Sequence, residues 1–110
     1  MEANRENIMS TIKIKAKESK GSVTVRALVK HPMETGQRKN KKTGEKIPAH
    51  FIQEITCKAN GEEVINVYWG PAVSKNPYLT FAYEGSKGDT IELSWLDNQG
   101  NRDSNKVTAK

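Results

Sequence analysis

The chain has 110 residues, of which 35% are hydrophobic and 28% charged, and its formal net charge is +5. Those totals support one domain with a single core and a heavily charged surface. They exclude an internal disulfide, because Cys57 is the only cysteine, and no apolar run is long enough to span a membrane. The basic balance favours acidic partners, although a chain of this size carries such a charge equally well as plain solvated surface.

Taken in order, residues 1–8 read as a disordered leader and residues 9–110 as a single domain. The polar start, Met1 to Asn7, is followed by no apolar stretch, so no cleavable signal peptide is expected. Ile12-Lys13-Ile14-Lys15-Ala16 alternates with period two, which predicts a first strand with Ile12 and Ile14 inward. A turn at 18–22 leads to a second strand, in which Val23, Val25, Ala27 and Val29 share the inner face. From His31 to Pro48 the periodicity stops. Two prolines bracket this stretch, glycines punctuate it, and cations fill it, so it reads as a long exposed loop.

Strand pattern resumes at His50 to Ala59, with Phe51, Ile55 and Cys57 at one parity. Asn60-Gly61 is a strong hairpin signal, and Glu62 to Trp69 returns as the partner. Apolar residues at both parities there, Val64 against Ile65 and Val67, predict cover on two sides. Gly70-Pro71 breaks the strand. Tyr78 to Glu84 follows, with Leu79, Phe81 and Tyr83 on one face, then Thr90 to Leu96 with Ile91, Leu93 and Trp95 aligned, then a weaker strand from Arg102 to Ala109. Seven short strands separated by turns predict an all-β, immunoglobulin-like antiparallel β-sandwich, with Trp95 and Trp69 as centres of packing.

Candidate chemistry is sparse. Cys57 has core parity and is expected to be buried and inert. His31, His50 and Cys57 are metal-binding types, but their spacing matches no mechanistic pattern. His31 and Met33 would suit copper, yet two ligands are not a site. No metal or other cofactor is therefore expected. The histidines read as the end of one strand and the start of the next, and Asp97 and Asp103 as turn formers. No Gly-x-Ser-x-Gly or shared nucleophile–base site supports an enzyme. The cluster Arg38, Lys39, Lys41, Lys42, Lys46 lacks interleaved aromatics, so nucleic acid is not the expected partner. The alternative kept open is a basic immunoglobulin-like module binding nucleic acid or an acidic protein.

His31-Pro-Met-Glu-Thr-Gly-Gln-Arg38, Ile47-Pro48, Phe51-Ile52, Thr56-Cys57, Asn60-Gly61, Gly70-Pro-Ala-Val-Ser-Lys-Asn-Pro-Tyr78 and Trp95-Leu-Asp-Asn-Gln-Gly100 occur in this order. With these blocks the chain resembles the SoxZ family. The resemblance implies an immunoglobulin-like subunit of the SoxYZ sulfur-carrier complex of bacterial thiosulfate oxidation. It implies a heterodimer with a SoxY-like subunit whose C-terminal cysteine arm bears the sulfur intermediates, and, through that complex, contact with the Sox oxidising enzymes. It also implies a periplasmic location, reached by export with the partner. The chain would then be a non-catalytic scaffold. His31, Pro32, Met33 and Arg38, with Asn76, Pro77 and Tyr78, are the residues expected at the partner interface, and the isolated chain is open to self-association as a homo-oligomer through that vacant surface.

Overall fold

A computed structural model describes residues 10–110; the predicted leader, residues 1–8, lies outside the described residues. The period-two segments form seven strands: β1 Ile12–Ser19, β2 Ser22–Val29, β3 Ile52–Ala59, β4 Glu62–Tyr68, β5 Tyr78–Glu84, β6 Thr90–Asp97 and β7 Arg102–Thr108. All ladders are antiparallel. One sheet has the order β1-β2-β5 and the other β4-β3-β6-β7. Among the described residues there is no helix. Two of the turns are tight because both central residues take positive φ: Lys20 (53°) with Gly21 (81°), and Asn60 (53°) with Gly61 (87°).

The core lies between the sheets. Ile12, Val23, Val25, Ala27 and Val29 face Ile52, Ile55, Cys57, Ile91 and Leu93, all essentially out of solvent. Burial of each large aliphatic side chain contributes roughly 1.5–3 kcal/mol. The partition is set by alternation: inward residues are mostly aliphatic, and outward ones are mostly polar or charged, with Leu28 and Leu96 as exceptions. Along one flank the sheets are joined where Asn105 Nδ2 donates to Ile12 O (2.8 Å) and Lys110 N–H donates to Ala16 O (3.1 Å).

Four sequence expectations shift. Phe51 shares parity with Ile55, but the register slips between Ile52 and Glu54, so Ile52 is buried and Phe51 only half-buried. Trp95 sits in the core, whereas Trp69 lies past the end of β4 and packs half-buried at the rim. In β4, an edge strand, Val64, Ile65 and Val67 are half-buried rather than covered on two sides. Asp103 is no turn former: its Oδ2 accepts from Thr11 N–H (2.7 Å), Thr11 Oγ1 (2.6 Å) and Ser10 Oγ (3.1 Å), tying the start of β1 to β7.

The long segment after β2 is exposed, as expected, but it folds as an arm. Glu34 and His50 exchange backbone hydrogen bonds (2.7 and 3.0 Å), and Lys39 bridges Lys46, with Ile47 N–H donating to Arg38 O (2.7 Å) and Asn40 N–H to Glu45 O (2.8 Å). The Arg38 guanidinium pairs with the Glu34 carboxylate across one turn of the arm. That contact holds Arg38 above and Glu34 below their ordinary pKa values.

Candidate functional site

The blocks around His31, Phe51, Asn76 and Asp97 converge at one end of the sandwich, while Cys57 lies mid-strand and Asn60-Gly61 at the other end. β2 stops at Val29, and the chain turns through His31. The Asn76 side chain accepts from His31 N–H (3.0 Å), while Asn76 N–H donates to His31 O (3.0 Å). Val29 N–H donates to Pro77 O (3.0 Å), so the connection into β5 is clamped onto the end of β2. Asn76 holds φ at 52°, which asparagine tolerates better than most residues. Met33, also at positive φ (48°), is buried, and its Sδ lies 3.4 Å from Ile52 N–H, which donates to it.

At the centre is Asp97, the last residue of β6, with a side chain fully out of solvent. Its Oδ2 accepts from His31 Nε2 (3.0 Å), His50 Nε2 (2.7 Å) and Asn101 Nδ2 (3.1 Å). Its Oδ1 accepts the backbone N–H groups of Gln99 (3.0 Å) and Asn101 (2.8 Å). The expected turn-forming role is thus carried by one oxygen, and the other oxygen gathers two imidazoles. Burial by itself would raise the Asp97 pKa. Hydrogen bonds from His31, Asn101 and His50 overturn that effect and hold the carboxyl well below its usual range. The His31 ring stands edge-on to Trp95 (5.1 Å) and to His50 (4.5 Å). Next door, Asn98 Oδ1 accepts from Phe51 N–H (2.8 Å), and Asn98 Nδ2 and Gln99 Nε2 both donate to Ala49 O.

His31, His50 and Asp97 place three potential ligand atoms within 4.8 Å of one another. Sequence spacing concealed this set, because 31, 50 and 97 meet only through tertiary closure. The donor set nonetheless does not fit a metal. Met33 N–H donates to His31 Nδ1 (3.1 Å), which leaves the ring proton on Nε2, the atom that points at Asp97. Coordination through Nε2 would put a proton on Nδ1 facing that N–H. The cluster is a satisfied hydrogen-bond network. Nor does it resemble an acyl-transfer site: among the described residues no hydroxyl or thiol bonds to either imidazole.

Of the interface residues expected from the sequence, the structure brings His31, Met33, Asn76 and Pro77 together at this end. His31, Met33 and Pro77 are buried within the chain, and Pro32, Arg38, Asn76 and Tyr78 are exposed. Cys57 lies in the middle of β3 with no solvent exposure. Burial, with the Glu92 charge nearby, pushes its thiol up to about 12, so it is protonated and inert.

Fold and site together define a β-sandwich domain whose polar cluster fastens the loops at one end. The chain belongs to the SoxZ family: the family described as sulphur oxidation protein SoxZ matches residues 12–108, nearly the whole chain, which places it in the Sox system of sulfur oxidation. No curated protein sequence matches it. A solved structure of similar fold is a superoxide reductase (neelaredoxin) from Ignicoccus hospitalis, with TM-score 0.58 and 17% identity, covering 97% of this chain and 91% of that one. At that identity the likeness is one of fold.

Proposed function

We propose that this chain is the non-catalytic subunit of a periplasmic sulfur-carrier heterodimer in thiosulfate oxidation. It scaffolds a SoxY-like partner whose cysteine arm bears the covalent intermediates, and it presents the complex to the oxidising enzymes. The observation that carries the reading is the state of Cys57. The chain's only thiol is buried mid-strand with its pKa raised to about 12, which supports a reading in which the sulfur rides on another chain. The His31–Asp97–His50 network supports the reading by fixing loops whose exposed residues, Pro32, Arg38, Asn76 and Tyr78, are available for contact. Buried His31, Met33 and Pro77 act by holding that surface in shape.

Native mass spectrometry of the protein captured from its own cells tests this. The expected result is a one-to-one complex with a cysteine-bearing chain, with sulfur or sulfonate mass increments on that chain. Increments on Cys57, or a chain recovered without a protein partner, would overturn it.

A further inference from the structure

Apart from Tyr78, at its end, the outward face of the β1-β2-β5 sheet has no role in the site above. Its rows follow from the register. Lys13, Leu28 and Tyr78 form one row, Lys15, Arg26 and Thr80 the next, Lys17, Thr24 and Ala82 the third, and Ser19, Ser22 and Glu84, the one carboxylate of these rows, the last. Four cations thus stand on two adjacent strands, with Lys15 directly opposite Arg26. Like charges directly opposite destabilise a ladder, and among the described residues none of the four makes an ion pair. Two adjoining shallow grooves cross this flank. They are lined by these four cations with Lys106 and Lys110, and by no acidic side chain. At one end lie Leu28 and Tyr78, two of the three large hydrophobic side chains exposed among the described residues; they pair across β2 and β5 and are 39% and 60% exposed.

Lysines on an edge strand can serve simply to prevent sheets from joining edge to edge. That account covers β1 but not Arg26, because β2 is the central strand of its sheet. Arginine and tyrosine are also the residue types enriched at protein interfaces, with lysines suited to steering from the rim. A single exposed tyrosine is a poor stacking platform for single-stranded nucleic acid, which relies on successive aromatics.

We propose that this face docks an acidic protein surface. Lys13, Lys15, Lys17 and Arg26 take its carboxylates, and Leu28 and Tyr78 seat an apolar or aromatic side chain. The proposal does not depend on the sulfur-carrier reading. Its test is binding of poly-L-glutamate and of a random Glu–Tyr copolymer to the full chain at low salt. The K15E/R26E pair should weaken both by on the order of tenfold or more. The K41E/K42E pair, with the same change of net charge on the arm, should leave binding within about threefold. Wild type should prefer the copolymer, and Tyr78→Ala should abolish that preference without abolishing binding. The neutral pair K15Q/R26Q, checked by circular dichroism, guards against misfolding and should also weaken binding. Equal losses in the face and arm pairs would reduce the effect to net charge and overturn the proposal. So would undetectable binding, or duplex DNA outcompeting poly-L-glutamate through the same residues.

Discussion

The Asp97 carboxylate accepts hydrogen bonds from His31, His50, Gln99 and Asn101 while its side chain is wholly out of solvent. Every donor in this set expects an anion or a carbonyl-like oxygen. An asparagine side chain in its place would offer one oxygen and turn an N–H₂ toward groups that are themselves donors. The D97N variant should therefore lose about 2–4 kcal/mol, the scale of a buried acceptor removed from several partners. The pH dependence has a definite sign. Folding lowers the Asp97 pKa, so the stability its charge contributes is complete above the unfolded value, near 3.8, and is lost as pH falls from there through the folded value. Asp89 and Asp103 are lowered too. Burial works against the Asp103 shift but loses to hydrogen bonds from Thr11, while Asp89 is held by Ser86 N–H, Tyr83 and Asn60. Wild type is thus expected to lose stability steeply in acid, and D97N more shallowly. Urea midpoints measured between about pH 6 and pH 2.5 read both effects. An equally steep acid limb in D97N would mean that Asp97 is not the linked group.

The strands were legible in the sequence because one face of each is buried and the other wet, so alternation carries register and orientation together. β5 and β6 needed nothing more than Leu79, Phe81, Tyr83 and Ile91, Leu93, Trp95. Alternation fails where geometry departs from it. The register slip before Glu54 exchanges Phe51 for Ile52, and the arm after β2 pairs Lys39 with Lys46, a bridge with no apolar pattern to announce it. The polar cluster was legible only residue by residue: Asp97 marked a turn, but its second oxygen is claimed from positions far away in the chain. The arm is the element most open to a direct test. Gly36 sits at φ 87°, and a Cβ built there lies 3.2 Å from the Ala49 Cβ on the opposite side of the arm. Gly36→Ala should cost about 1–2 kcal/mol of local strain. Amide exchange should show it as roughly tenfold faster exchange at Ile47 and His50, whose N–H groups bond to Arg38 O and Glu34 O. The β3 amides should be unchanged. Acceleration spread evenly through β3 would show instead that arm and sandwich open as one unit.

Two sheets sharing one core raise the question of how far the molecule behaves as a single cooperative body. β2 and β3 are sealed on their inner faces, whereas the inward residues of edge strands β4 and β5 (Ile65, Val67, Leu79, Phe81 and Tyr83) are only half-buried. On the opposite flank, β1 and β7 are stitched through Asp103, Asn105 and Lys110. The β4–β5 flank is thus the looser one, but its strands pair with β3 and β2, whose inner faces are sealed. Opening it far would expose the core between them. The two tryptophans sit at opposite ends of this gradient. Trp69 N–H donates to Gln53 O (2.9 Å) at the rim of β4, and Trp95 Nε1 donates to Thr11 Oγ1 (3.1 Å) beside the polar cluster. In Trp69→Phe the remaining tryptophan fluorescence comes from Trp95 alone, and far-ultraviolet circular dichroism follows all seven strands. The urea transitions by the two probes should coincide, as for other single-core domains of this size. A dichroism transition that begins at lower urea than the Trp95 signal would mean that the β4–β5 flank unfolds first, leaving the stitched flank and its polar cluster intact.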